Sequence, residues 1–294
     1  MSRLKQALEG GKFVITGEIG PPKGANISQC LEDAEKLRNQ VMAINVTDLQ
    51  SAVMRIGSMA ICAKLVEKGL EPVYQLTCRD RNRLALQSDL LSAWALGIEN
   101  VLCLTGDHTN LGDHTEAKPV YDLDSVQLLK AASTLNQGYD MSEHELEGKP
   151  SFFLGAVVTP SAEPVEPQII KMEKKADAGA RFFQTQAIYE PEKFEQFMNK
   201  VQRLKMPVIA GIVLLKSAAM AKFMNANVAG VSVPDSLIEE MAETEKEDRT
   251  KKSVEIAVHI IRQVKPLCQG VHIMPLGWDE LVPQIVGEAG LGIE

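Results

Sequence analysis

The sequence lacks the features that mark membrane-bound, secreted or nucleic-acid-binding proteins. It has no apolar run of about eighteen residues, the length that a membrane-spanning helix needs, and no apolar stretch of signal-peptide length near the first methionine. Basic residues number 31 against 39 acidic ones, which gives a net charge of −8. Nucleic acids and anionic membranes are bound through clusters of Lys and Arg. We therefore expect neither kind of partner, and a cytoplasmic location.

Cysteine is scarce and follows no motif. The five cysteines are odd in number, widely spaced and never arranged as C-x-x-C. Disulfide frameworks, zinc ribbons and iron–sulfur clusters need paired or closely spaced cysteines. The pattern is typical of reduced thiols in a cytosolic protein, and we expect no zinc or iron–sulfur centre held by this chain.

Three common cofactor and nucleophile motifs are missing as well. The chain contains no G-x-x-x-x-G-K-[ST] phosphate loop, no G-x-G-x-x-G fingerprint and no G-x-S-x-G elbow. The tetrapeptide Gly-Asp-His-Thr occurs twice, at 106–109 and 112–115, and offers residue types that bind metals. Because it lacks the helical His pair or cysteine support of the stronger zinc patterns, we expect no metal site.

What the chain does contain is a regular alternation of short β-branched apolar runs with longer segments of helical periodicity. The predicted strands are Phe13–Ile19, Met42–Thr47, Pro72–Thr77, Asn100–Thr105, Phe152–Val158, Arg181–Thr185, Pro207–Val213 and Val271–Pro275. Apolar residues at three- and four-residue spacing predict helices between them. These are Gln29–Asn39, Ser58–Lys68, Leu84–Leu96, Ser125–Leu135, Glu166–Ala178, Pro191–Leu204 and Ser217–Met224.

Eight strand–helix units favour a closed barrel. The 294 residues are close to the usual length of one such barrel, roughly 250 residues. We predict an α/β fold, a single (β/α)8 (TIM) barrel domain over residues 1–294, with an open doubly wound sheet as the alternative. Two connections are long: 106–124 after the fourth strand, and the charged segment Glu239–Lys252, which we interpret as a solvated helix face.

Glu18 is the strongest candidate for a catalytic residue. Barrel enzymes build their active sites at the C-terminal ends of the strands, and Glu18 lies at such an end between apolar residues and ahead of Pro21-Pro22. Burial raises the pKa of a carboxyl group, which suits general acid catalysis. The alternative is a strand-end glutamate paired with a nearby arginine.

Asp107 and Gln186 are the next candidates at strand ends. Asp107 follows Gly106, where the backbone can come close to a ligand; the alternative is a helix N-cap or Asx turn. Gln186 offers an amide that both donates and accepts hydrogen bonds, as a heterocycle requires. If the strand is regular, Gln184 lies on the same side. The alternative is that both glutamines fill a polar barrel interior.

Three lysines follow the fifth strand on one predicted helix. Lys171 and Lys174 share a face at three-residue spacing, and Lys175 is adjacent. They could hold a phosphate or the ribityl chain of a cofactor. The alternative is a solvated helix surface.

Taken in order along the chain, the strand-end motifs resemble those of the methylenetetrahydrofolate reductase family, over essentially the whole chain. The matching elements are Glu18 ahead of Pro21-Pro22, Val46-Thr47, Leu76-Thr77-Cys78, Gly106-Asp107, Ala178-Gly179-Ala180 and Thr185-Gln186.

The resemblance implies a flavin at the barrel mouth that passes a hydride to 5,10-methylenetetrahydrofolate in one-carbon metabolism, giving 5-methyltetrahydrofolate. It makes Glu18 the acid that helps to open the imidazolidine ring. It assigns Asp107 to tuning the flavin and touching the pterin, and Gln186 to hydrogen-bonding the pterin. The positions that match flavin-holding residues of the family are Thr47, Gln75, Leu104, Thr105, Gly106, Asp107, Tyr121, Lys171, Lys174 and Lys175.

Departures from the family pattern leave the flavin and the electron donor open. Thr105 stands where many relatives have Arg and Gln75 where many have His, so FAD and FMN both remain candidates. The loop 214–219 lacks the aromatic residue on which a nicotinamide can stack in NADH-using relatives. The chain is also similar to short reductases of acetogenic bacteria, which implies a partner subunit with iron–sulfur and zinc sites as the donor, besides NADH or ferredoxin. Homo-oligomerisation is the other expected assembly.

Two rival functions make different predictions. A pterin-binding methyltransferase barrel without flavin would be colourless. A non-catalytic flavin electron-transfer subunit would be yellow, and Glu18→Gln would leave folate turnover unchanged.

Overall fold

A computed structural model describes residues 1–292 and contains a closed barrel of eight parallel strands. The strands, numbered β1 to β8 in chain order, are Val14–Ile19, Ala43–Val46, Pro72–Thr77, Asn100–Leu104, Phe153–Val158, Phe182–Ala187, Val208–Val213 and Gly270–Met274. Each strand pairs with its neighbours in sequence, and β8 pairs with β1 to close the ring. This confirms the (β/α)8 prediction against the open sheet. All eight predicted strands are present, with ends shifted by two residues or fewer.

Helices follow the strands around the outside of the barrel. The helices, numbered α1 to α11 in chain order, are Arg3–Glu9, Ser28–Lys36, Ser58–Glu67, Arg83–Ala95, Ser125–Gln137, Glu166–Asp177, Pro191–Val201, Ala218–Asn227, Asp235–Glu243, Arg249–Val264 and Val282–Glu288. All seven predicted helices are among them, with ends shifted by three residues or fewer. Across residues 1–292, no helix has both the length and the apolar character that crossing a bilayer requires.

Local capping sets some of these ends. The Asp124 side chain accepts hydrogen bonds from the backbone N–H groups of Val126 and Gln127 and so begins α5. Gly138, with φ of 99°, ends the same helix in the left-handed conformation that glycine adopts without a Cβ clash.

The prediction that Glu239–Lys252 forms one helix face is wrong. Helix α9 ends at Glu243, residues 244–248 form a turn, and α10 begins at Arg249. Helix α9 has no basic residue in its last turn, and the segment that follows it is rich in glutamate. Because the C-terminal end of a helix dipole is negative, these acidic residues disfavour continuation of the helix. The two helices are instead linked through Lys252, whose Nζ donates to Glu240 at 3.0 Å.

The lower half of the barrel interior is apolar. Helix α1 lies across the N-terminal ends of the strands, and its Leu4, Ala7 and Leu8 join one buried cluster with the inward-facing residues of the strands. Within this cluster the rings of Phe153 and Phe182 stack with centroids 5.0 Å apart. Because this end is filled, a ligand cavity inside the barrel has room only towards the C-terminal ends of the strands.

Candidate active site

A layer of hydrogen-bonded polar side chains lies above the apolar half of the barrel. The strand register pairs Thr16 with His272, and the Thr16 hydroxyl lies 2.9 Å from His272 Nδ1. Asn45 and Gln184 join their amides reciprocally, at 2.7 and 3.2 Å. All four side chains are buried, so each polar group depends on these bonds for the partners that water would otherwise supply.

Glu18 lies directly above this layer, with 11% of its side chain exposed. Its Oε2 accepts a hydrogen bond from Gln75 Nε2 at 3.2 Å and lies 3.4 Å from His272 Nε2. These partners are an amide and an imidazole, instead of the arginine considered as the alternative. The carboxyl group is therefore sheltered but reachable from the barrel mouth, as a group that exchanges a proton with a ligand must be.

The mouth of the barrel contains a cavity of about 440 Å³. This volume lies in the range of small-molecule sites. It brings together most of the residues singled out from sequence. Those that line it are Glu18, Thr47, Gln75, Leu104, Thr105, Gly106, Asp107, Lys171, Lys175, Gln184 and Gln186.

Tyr121 and Lys174 lie outside this lining. The Tyr121 hydroxyl donates to the Gly106 carbonyl at 3.1 Å, so it contacts the cavity wall from behind. Lys174 is exposed on α6. The helix turns Lys171 and Lys175 towards the cavity, a four-residue spacing, where the sequence suggested the three-residue pair Lys171 and Lys174.

Lys175 is the buried cation of the mouth. It is 7% exposed, and its Nζ donates to the Val157 carbonyl at 2.7 Å. Burial, aided by the charge of Lys171, lowers the pKa of the Lys175 ammonium group to about 8 from its ordinary 10.5. An ammonium group in this state is poorly solvated, and an anionic ligand group would relieve its desolvation.

We expect the burial of Lys175 to appear in the pH dependence of stability. Between about pH 8 and 10.5 the unfolded chain binds the Lys175 proton and the folded protein does not, so the free energy of unfolding rises with pH across this interval. In Lys175→Met the rise is absent. The difference between the unfolding free energies of the two proteins should change by roughly 3 kcal/mol across this interval, since one pKa unit corresponds to about 1.4 kcal/mol. Urea unfolding of the two proteins at a series of pH values measures it.

Lys174→Met is the matched control, because it removes an exposed ammonium group from the neighbouring position of the same helix. Its free energy of unfolding should depend on pH in the same way as that of the wild type. Parallel curves for Lys175→Met as well would contradict the desolvation argument.

Strand β6 is irregular between the two glutamines. Its pairing with β7 slips by one residue between Gln184 and Ala187, and the Thr185 hydroxyl accepts a hydrogen bond from the Gly211 N–H at 2.9 Å. The strand is therefore not regular at this point, although Gln184 and Gln186 both line the mouth cavity. Gln184 is buried against Asn45, whereas the Gln186 side chain accepts from the Ala187 N–H and is partly exposed to the cavity.

Sequence reasoning missed His272 and Arg79. His272 is a lone polar residue between Val271 and Ile273, an alternation that turns it into the barrel. Arg79 follows the strand-end triplet 76–78 and is 2% exposed, yet it borders the mouth cavity. Its guanidinium donates to the backbone carbonyls of Asp107 and Leu49, at 3.2 and 3.3 Å, and so joins the loops after β4 and β2.

Residues 3–290 match the family model described as methylenetetrahydrofolate reductase. The chain belongs to the methylenetetrahydrofolate reductase family. Methylenetetrahydrofolate reductase 2 of Schizosaccharomyces pombe is 26% identical to it, over 98% of this chain and 47% of that protein. The 5,10-methylenetetrahydrofolate reductase of Salmonella typhimurium is 24% identical, over 86% of this chain and 82% of that protein. The chain thus spans less than half the length of the yeast relative and most of the bacterial one.

Solved structures share the fold of this methylenetetrahydrofolate reductase family member at low sequence identity. A Clostridium thermocellum protein, described as binding two copies of 5-methyl-5,6,7,8-tetrahydrofolic acid, superimposes with a TM-score of 0.67 at 17% identity, covering 97% of both chains. Oxaloacetate acetylhydrolase superimposes with a TM-score of 0.55 at 11% identity, over 96% of this chain and 81% of that one. One barrel fold therefore carries unrelated chemistries, and function has to be argued from the mouth residues.

Proposed function

We propose that this chain uses a bound flavin to reduce 5,10-methylenetetrahydrofolate to 5-methyltetrahydrofolate. The observation that carries the proposal is Glu18: a sheltered carboxyl group, with two hydrogen-bonding partners, at the edge of a ligand-sized cavity. Family membership supplies the substrate class. The neighbouring fold from C. thermocellum, described as binding the methylated folate, is in keeping with it.

The residues of the mouth suit a flavin. The Thr47 hydroxyl oxygen is buried and has no hydrogen-bond partner within residues 1–292, as expected of a group that a ligand satisfies. Gly106 has φ of 89°, and a Cβ there would lie 3.0 Å from that of Thr77, so the backbone itself forms the wall. Lys171 and Lys175 offer cations for a phosphate. We assign the flavin to Thr47, Gln75, Leu104, Thr105, Gly106, Asp107, Lys171 and Lys175, with Tyr121 supporting Gly106 and no direct contact from Lys174.

The protein's own part in the reaction is to position the folate and to supply a proton. A bound flavin supplies the hydride. The Glu18 carboxyl group gives its proton to the ring nitrogen of the folate as the carbon–nitrogen bond of the imidazolidine ring breaks, which leaves the methylene carbon electrophilic. Asp107 and Gln186, at the ends of β4 and β6, would hydrogen-bond the pterin and hold it in register with Glu18.

For the electrons, we propose a partner subunit carrying iron–sulfur and zinc centres. The loop 214–219 has no aromatic side chain on which a nicotinamide could stack. Its Lys216 Nζ instead lies over the Trp278 ring, 4.5 Å from the centroid. A metal-containing subunit should then copurify with the native protein. Isolation without such a subunit, together with brisk NADH oxidation by this chain alone, would overturn the partner proposal while leaving the folate reaction intact.

The function is tested by an absorbance spectrum of the purified chain, followed by anaerobic addition of 5-methyltetrahydrofolate. We expect a flavin spectrum whose long-wavelength band bleaches as the methylated folate is oxidised, the reverse of the proposed half-reaction. A chain that stays colourless after incubation with FAD and FMN contradicts the proposal and favours the methyltransferase. A yellow chain that the folate does not bleach favours the electron-transfer subunit.

A further inference from the structure

We propose that His272 is a positioning residue which fixes the orientation of the Glu18 carboxyl group and stabilises the charge that this group acquires when it gives up its proton. This inference rests on the proposed function, since it concerns the proton that Glu18 gives to the folate. The geometry points to a chain of four side chains behind Glu18, which runs from Asn45 through Gln184 and Thr16 to His272.

The direction of each hydrogen bond in this chain follows from the chemistry of its members. An ionised carboxylate only accepts hydrogen bonds, so His272 must donate from Nε2 to Glu18. In neutral His272 the other ring nitrogen, Nδ1, then accepts the single proton of the Thr16 hydroxyl at 2.9 Å. The Thr16 oxygen in turn accepts from Gln184 Nε2 at 3.5 Å, and Asn45 fixes the orientation of the Gln184 amide. The chain therefore selects one tautomer of His272.

Both donors to Glu18 converge on the same oxygen. Gln75 Nε2 is 3.2 Å and His272 Nε2 is 3.4 Å from Oε2. Oε1 is thus left to carry the proton in the acid form of Glu18. When the O–H bond of Glu18 breaks and the N–H bond of the folate forms, the negative charge appears on a carboxylate that already has two donors in place. Glu18 regains its proton from solvent at the mouth, where its side chain is partly exposed.

A donor to the charged form makes a carboxyl group a stronger acid. Removing the His272 donor should therefore slow the transfer of the proton to the folate. The other charged groups around the same cavity are Asp48 after β2, Arg79 after β3, Asp107 after β4, and Lys171 and Lys175 on α6. These groups remain in place in a His272 variant, so the change in rate reports on His272 itself.

The experiment compares His272→Phe, which keeps a ring and loses the donor, with His272→Gln, whose amide can replace Nε2–H. Reduced protein is mixed with methylenetetrahydrofolate across a range of pH. We expect His272→Phe to reoxidise roughly 10- to 100-fold more slowly at its plateau, the effect of one charge-assisted hydrogen bond. His272→Gln should stay within about threefold of the wild type, as should the control His259→Phe, at an exposed position of α10.

A second measurement needs neither turnover nor flavin. Nitrogen-15 NMR of the flavin-free wild type, with the His272 signal identified by its loss in His272→Gln, should give the tautomer with the proton on Nε2. A proton on Nδ1, or a His272→Phe profile that overlies the wild type while Glu18→Gln is inactive, overturns the His272 inference alone. Full turnover by Glu18→Gln would show that Glu18 is not the acid, and the His272 inference would fall with it. Reduced wild-type protein that the folate does not reoxidise would instead overturn the proposed function.

Discussion

Glu18→Gln should reduce the rate of methylenetetrahydrofolate reduction by roughly 10²- to 10⁴-fold, the range that a positioned general acid contributes. The substitution keeps the side-chain volume and an oxygen that can accept from Gln75 and His272. What it removes is the ionisable proton. Because the flavin is assigned to other residues, the variant should remain yellow with an unaltered flavin spectrum. Stopped-flow reoxidation of the reduced protein by the folate measures the loss.

Glu163→Gln is the matched control. Glu163 lies in the loop after β5, on the same end of the barrel, and its side chain is 78% exposed. Its loss should leave the reoxidation rate unchanged. If Glu18→Gln reoxidises as fast as this control, Glu18 is not the acid.

The fold and much of the site could be predicted because both depend on simple periodicities. Runs such as 72–77 and 207–213 are apolar and β-branched enough to form only buried strands, and a barrel made of such units places every strand end at one mouth. Glu18 and Gln75 lie in the C-terminal halves of their strands, and Asp107 follows one. Their convergence on one cavity therefore follows from topology, without knowledge of any side-chain contact.

The remaining features depend on contacts between distant segments, which no periodicity encodes. The slip of β6 against β7 arises where Thr185 accepts from the Gly211 N–H, a pairing visible only across the strands. Arg79 acquires its role from carbonyl groups on two other loops. The orientation of α6, which turns Lys175 inward and Lys174 outward, depends on how the helix packs on β5.

The loop after β2 is held by a buried ion pair that should matter greatly for stability. The Asp48 side chain is fully buried. Its Oδ2 accepts from Arg81 Nη1 at 2.8 Å and from both the backbone N–H and the hydroxyl of Thr77, at 3.0 and 2.8 Å. Oδ1 accepts from Arg81 Nη2 at 3.2 Å, so the arginine is bound through two nitrogens. Asp48 thereby ties the end of β2 to the end of β3 beneath the mouth.

We expect Asp48→Ala to lower the free energy of unfolding by about 2–4 kcal/mol, because it leaves the Thr77 N–H without its acceptor and removes one of the two carboxylates that pair with Arg81, the other being Asp89 at 2.8 Å. Against a total stability of about 5–15 kcal/mol this is a large fraction. Asp48→Asn keeps the volume and one acceptor oxygen, so its loss should be smaller. Glu67→Ala removes an exposed ion pair with Lys64 and should cost less than about 1 kcal/mol. Urea unfolding of flavin-free proteins ranks the three. Equal stabilities for Asp48→Ala and Glu67→Ala would mean that water replaces the Asp48 carboxylate at the loop.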